Sequence, residues 1–228
     1  LLRDLFAEGA MSVAFVTVFS KLMVERDKEA AWDLARKMAT LVIVFMSAVV
    51  VTGIVFSAPL IGILAPGFDV EKAAFAAGLT RVMFPFILLV SLAALAMGML
   101  NARNVFGVPA LASSFYNLGS IFCGVSLAYF IDPTFGPKAF YGLAVGTLAG
   151  GFLQMAIQFP SLRTVGFRFA FDFHWGDPQV KRVLVLMLPA VIAASAVQVN
   201  VMINSVFASY LGDGAVSLGS STAGADAP

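Results

Sequence analysis

Charge is scarce in this chain of 228 residues. Asp, Glu, Lys and Arg make up 12% of it, about half the share usual in a soluble domain. The formal net charge is +1, which leaves no basic patch for nucleic acid, and no nucleic-acid partner is expected. Cysteine occurs once, at Cys123, which excludes an internal disulfide. Histidine occurs once, at His174, which excludes a histidine-rich metal cage. The phosphate loop G-x-x-x-x-G-K-[ST] is missing, so the chain does not itself hydrolyse ATP. So are H-E-x-x-H, G-x-S-x-G, a Cys/His pair for nucleophilic attack, and a carboxylate cluster suited to glycoside chemistry. The chain reads as a non-enzyme with no cofactor. It opens on Leu1 with no charged region ahead of the first apolar stretch, so no signal peptide is seen.

Apolar residues are abundant instead. They form 60% of the chain, and mean hydropathy is +0.94. The expected fold class is all-α, a polytopic transmembrane helix bundle. A membrane-crossing helix needs about 20 apolar residues, and six stretches approach that: 9–24, 38–64, 79–100, 110–131, 139–159 and 183–211. Pro and Gly punctuate them at Pro66-Gly67, Gly107-Val108-Pro109 and Pro133 to Pro137. Ser57-Ala58-Pro59 predicts an end or kink inside the second stretch.

Orientation follows from the loops. Lys21, Arg26, Lys28, Arg36, Lys37, Arg103, Arg163, Arg168, Lys181 and Arg182 fall on one side. Lys72, Lys138, Arg3 and Arg81 fall on the other. The first set is expected in the cytoplasm, which starts Leu1 outside and implies at least one preceding span in a longer protein. The charge-mixed segment 21–37 reads as a helical extension at the cytoplasmic surface, with Asp33 and Lys37 spaced to pair at i,i+4. The aromatic run R-F-A-F-D-F-H-W at 168–175 reads as an interfacial anchor rather than a short strand.

Several residues are candidates for chemistry. Arg3 and Glu8 stand at the mouth of the first span, where intramembrane charge is costly and suggests function. Glu8 and Ser12 share a helical face that continues through Phe15 and Phe19. An arginine fork suits a phosphate or diphosphate, although charges at a helix end also snorkel to headgroups. In the sixth span Ser195, Gln198, Ser205 and Ser209 form one stripe, and Asn200 and Asn204 a separate pair. Both sets read as interhelical glue or the lining of a polar path. Gly142, Gly146 and Gly150 predict close helix packing. Asn101-Ala102-Arg103 reads as a capped cytoplasmic helix end.

Four strings, in order and spacing, resemble the MurJ/MviN family of lipid II flippases, in the MOP exporter superfamily. They are L-F-A-E-G-A at 5–10 with Ser12, Ala14 and Phe15; A-P-G-F at 65–68; F-P-F-I-L-L-V-S-L-A-A-L at 84–95 with Gly98 and Leu100-Asn101; and Phe106, Pro109-Ala110 and Asn117. Asp4, Val13, Thr17 and Ser113 depart from the family's habit. The resemblance covers 1–217 and implies most of the N-terminal lobe of a fourteen-helix transporter, helices two to seven. It implies a cationic central cavity that binds lipid II (undecaprenyl diphosphate-linked muropeptide) and exposes it on the outer side of the bacterial inner membrane, for cell-wall synthesis. Arg3, Glu8 and Ser12 are the substrate-binding candidates, with Arg3 on phosphate and Glu8 tuning the cavity. Membrane lipids are the other expected partners. Residues 218–228 form a small-residue tail, expected to be disordered and to reflect a truncated or frameshifted reading frame. The rival readings are another exporter of that superfamily and a non-transporting fragment. A drug exporter is disfavoured because no carboxylate lies deep in a span.

Overall fold

A computed structural model describes residues 10–25 and 27–223, with side chains for 13–25 and 27–210 except Ala190, Ala193, Ala194, Ala196 and Gln198. Every regular element among the described residues is a helix: α1 (Ala10–Val24), α2 (Lys28–Val55), α3 (Ser57–Leu64), α4 (Val70–Met83), α5 (Pro85–Ala102), α6 (Gly107–Ile131), α7 (Ala139–Ala156), α8 (Gln158–Thr164) and α9 (Pro178–Ala223). Four runs are long and apolar enough to cross a membrane: Lys28–Val55, Val70–Ala102, Gly107–Ile131 and Ala139–Thr164. A shorter apolar helix is Val13–Val24. These match the first five expected stretches, α1 being described from Ala10 onward. The sixth stretch falls within α9.

Side-chain caps and prolines set the boundaries. The Asp27 carboxylate accepts the Ala30 amide at 3.0 Å and starts α2; Asp69 accepts the Lys72 amide at 2.7 Å and starts α4. The segment 21–37 is therefore not one extension: a turn at Glu25 separates α1 from α2. The expected break near Pro59 lies at Phe56, between α2 and α3. Pro85 lacks an amide and cannot continue α4, so it becomes the first residue of α5.

Two helices end in matching glycine-type caps. At the end of α5, Asn104 takes φ 59°, its amide donates to the Asn101 carbonyl, and the Val105 amide donates to that of Leu100. At the end of α8, Gly166 takes φ 104°, its amide donates to Arg163, and the Phe167 amide donates to Leu162. This paired pattern satisfies carbonyls that a helix end would leave open. The residue that turns the chain after α5 is thus Asn104. Asn101 contributes a backbone carbonyl to that cap.

The core lies where α1, α2, α5, α8 and the start of α9 converge. Phe15, Phe19, Leu34, Met38, Leu95, Leu100, Val180 and Val183 are fully buried there. Phe15 stacks on Phe19 at 5.1 Å, Phe19 meets Trp32 edge-on at 5.3 Å, and Trp32 meets Phe167 at 5.8 Å. Apolar burial gives helices little drive to associate in lipid, so close packing and hydrogen bonds must hold them. The α6–α7 pair shows this. Its seam is made of Gly119 and Gly124 against Gly142, Gly146 and Gly150, while Ile121, Phe122, Phe130 and Phe152 point outward. The expected small-residue packing is what the glycines do.

Candidate functional site

Arg3 and Glu8 lie outside the described residues, as does the side chain of Ser12, whose backbone belongs to α1. The described continuation of their stripe is packing: Phe15 and Phe19 are both 0% exposed.

On α9, Ser195 and Ser205 each donate a hydroxyl hydrogen bond to their own helix, to Val191 and Val201. Ser209 bonds back to Val206 and accepts the Gly67 amide at 3.2 Å, which ties α9 to the A-P-G-F turn. Asn204 donates to Asn200 at 3.1 Å, and both are exposed. Ser209 therefore fastens α9 to a turn rather than lining a path, and Asn200 and Asn204 satisfy one another. The side chain of Gln198 lies outside the described set.

The polar construction at the other end of α9 is more extensive. Asp177 caps α9 by accepting the Gln179 amide at 2.7 Å, with Pro178 as the first helical residue. Its second oxygen meets the Lys37 ammonium of α2 at 2.6 Å. Lys37 thus pairs across 140 positions rather than with Asp33, which pairs with Arg36. Burial works against the Asp177 carboxylate, but the Lys37 hydrogen bond, the Gln179 amide and the Lys37 charge outweigh it. The group stays below the usual carboxylate range. Nearby, the fully buried Thr40 accepts the Asp172 amide at 3.0 Å and donates to the Arg36 carbonyl. The His174 amide, with its ring at 2.6 Å, holds the Asp172 carboxyl below its ordinary range despite burial. These bonds strap the linker 165–177 onto α2. The sequence signal was available in Asp177-Pro178, an acidic cap followed by proline.

The linker holds no strand. Phe169, Phe171, Phe173 and Trp175 follow one another with ring spacings of 4.9, 6.2 and 5.7 Å, and the three phenylalanines are exposed. That placement suits an interfacial anchor.

Between α5, α6 and the α7–α8 junction lies a cavity of about 340 Å³, with Ser113, Tyr116, Asn117, Gln154 and Gln158 among its lining. Gln158, 1% exposed, donates to the carbonyls of Ala93 at 3.2 Å and Gln154 at 3.0 Å, while its own carbonyl oxygen has no partner. Its signal in the sequence is an amide within the apolar stretch 139–159. Arg81 donates to the buried hydroxyl of Ser57 at 2.6 Å, joining α4 to α3. Among the described residues no group of His, Cys, Asp and Glu is arranged to hold a metal ion. What the arrangement offers is fixed charge and hydrogen-bonding groups on helix ends and within spans.

Comparison with known proteins adds a family. The family model described as lipid II flippase MurJ matches residues 1–222. The lipid II flippase MurJ of Burkholderia cenocepacia is 35% identical over 223 residues, covering 95% of this chain and 42% of that protein. The "Probable lipid II flippase MurJ" of Buchnera aphidicola subsp. Acyrthosiphon pisum is 33% identical over 219 residues, with the same two coverages. That of Vibrio cholerae is 29% identical over 225 residues. The chain spans about two fifths of the length of these relatives.

Proposed function

The chain belongs to the MurJ lipid II flippase family, and from that premise we propose that it forms part of a transporter that flips lipid II from the inner to the outer leaflet. The match over residues 1–222 carries the reading. Residues 1–217 serve as most of an N-terminal lobe in the bacterial inner membrane. The ends bearing Lys28, Arg103, Arg163 and Lys181 face the cytoplasm, where basic residues concentrate.

Arg3 contacts the diphosphate through paired charge-assisted hydrogen bonds. Glu8 sets the local charge balance, and Ser12 adds a hydroxyl on the same face one turn deeper. Transport follows from electrostatic capture and a rocking of lobes that changes which side the cavity opens to. No covalent step is required of any residue.

The test uses the full-length gene carrying this segment, expressed in bacteria depleted of their own flippase. The measurement is the fraction of lipid II accessible on the outer face. Restored exposure that is lost again in Arg3→Ala supports both transport and site. No restoration, with the protein present in the membrane, refutes the transport reading; restoration that Arg3→Ala leaves unchanged removes Arg3 from the site.

A further inference from the structure

Two adjoining hollows beside the α8 cap differ sharply in character. One, of about 480 Å³, is lined by Arg163 and Arg168 together with Phe159, Leu162, Phe167 and Phe169. The other, of about 190 Å³, has only apolar residues in its wall and runs between α2, α5 and α7, past Ile43, Leu92 and Met155. They share Phe159, Leu162, Phe167 and Phe169, so they form one continuous groove with a cationic head and an apolar tail.

The cap explains why two arginines five positions apart line one hollow. Gly166 reverses the chain at φ 104°, the Phe167 amide returns to the Leu162 carbonyl, and Arg168 comes to line the same hollow as Arg163. Neither guanidinium has a carboxylate or other hydrogen-bonding partner among the described residues. The acidic residues of the linker are already engaged, Asp172 by His174 and Asp177 by Lys37. Two unpaired guanidiniums beside an apolar slot are complementary to an anion that carries a hydrocarbon chain. The exposed row Phe169, Phe171 and Phe173 belongs at the depth where headgroups meet acyl chains.

We propose that this groove is a binding site for an anionic glycerophospholipid, its phosphate held by Arg163 and Arg168 and one acyl chain lying in the slot past Met155 and Ile43. The proposal does not depend on which substrate the transporter moves. It gives the strapped linker a second task, that of seating a structural lipid against α2 and α8.

Native mass spectrometry of the full-length protein tests it, with phosphatidylglycerol and phosphatidylcholine of identical chains as probes. Phosphatidylglycerol adducts are expected to persist in preference to phosphatidylcholine. They should fall about tenfold or more in the Arg163→Gln/Arg168→Gln double variant, the scale of two basic residues beside an anionic headgroup. Met155→Trp, which fills the slot and leaves both charges, should also reduce them. Equal retention of the two lipids, or undiminished retention by the double variant with an unchanged melting profile, overturns the proposal. Displacement by water-soluble glycerol phosphate with Met155→Trp inert would mean a headgroup-only anion site, which overturns it too.

Discussion

Gly146 is where the packing of this bundle can be tested most sharply. A Cβ added there would stand 2.2 Å from the Gly124 Cα, 2.3 Å from the Gly124 nitrogen and 2.9 Å from the Ser120 carbonyl oxygen. All three are backbone atoms, so no side-chain rotation relieves the contact. Restoring a carbon–carbon separation of about 3.5 Å asks α6 and α7 to part by about 1 Å along their seam. One added methylene in a tight site costs about 1–3 kcal/mol. The intrinsic helix gain of Ala over Gly returns only about 0.5–1 kcal/mol. Gly146→Ala is therefore expected to lower the melting temperature of the detergent-solubilised full-length protein by a few degrees, and Gly146→Leu by considerably more. Gly62 supplies the control: a Cβ there meets nothing within 4 Å and the residue is exposed, so Gly62→Ala should match or slightly exceed the parent. The reasoning fails if Gly146→Ala melts as high as Gly62→Ala, because the seam would then have slack that a backbone contact does not allow.

Three further outcomes follow from the caps and the strap. Asp177→Asn keeps a capping oxygen but removes the charge facing Lys37, and should destabilise by about 1–2 kcal/mol for this partly exposed pair. The Asp177 pKa is lowered by folding. Its contribution is therefore complete above the unfolded value of about 3.9 and lost as pH falls through the folded value. Melting of the parent should thus converge on that of Asp177→Asn when acidified below about pH 4, and parallel curves would show that the pair adds nothing. Gly166→Val places a β-branched residue at φ 104°. It should cost about 1–3 kcal/mol and speed proteolysis of the linker, and an unchanged digestion pattern would count against the cap. Thr40→Val removes the acceptor of the Asp172 amide at constant shape. It should raise hydrogen exchange at Asp172 with little change at Gln179, whose amide rests on Asp177.

The spans were legible because they depend on properties that a sequence displays directly. Length, hydropathy and the Pro and Gly breaks located the apolar stretches 38–64, 79–100, 110–131 and 139–159, but not the start of α4 at Val70 or the division of α7 from α8. The break before Pro59 was expected from its missing amide, whereas the restart at Pro85, which has the same cause, lay unread inside the stretch 79–100. The repeated glycines of α7 pointed to close packing without knowledge of their partner helix. The pairing of Lys37 was not legible, because local spacing favours Asp33 and nothing in the sequence says that residue 177 returns to α2. The same holds for the Arg163–Arg168 hollow. Five positions along an ideal helix would separate the two, and only the reversal at Gly166 joins them. Asn104 was missed in favour of Asn101 because an Asn before an Arg suggests a cap, whereas the geometry needs the residue able to take positive φ. As for the candidates drawn from the family resemblance, Arg3 and Glu8 lie outside the described residues, so Arg3→Ala bears on them directly.

The count of basic residues per loop treats all of them alike, yet the structure sorts them into two kinds. Lys21 is within 3.6 Å of Glu25, Arg36 meets Asp33, and Lys37 meets Asp177. Those charges are partly neutralised within the fold and fix one helix against another or stiffen a single turn. Among the described residues Arg163 and Arg168 have no such partner, and they line an exposed hollow that adjoins an apolar slot. An orientation rule needs only that positive charge stay on one side, and both kinds satisfy it equally. A binding argument needs a charge that no carboxylate of the protein has already claimed. The Lys37–Asp177 bridge serves that end indirectly. It engages the linker's second acidic residue, Asp172 being held by His174, so both carboxylates of the linker have partners other than the two arginines. The strap and the groove are therefore one construction, and loosening the strap at Asp177 should also weaken lipid retention at Arg163 and Arg168.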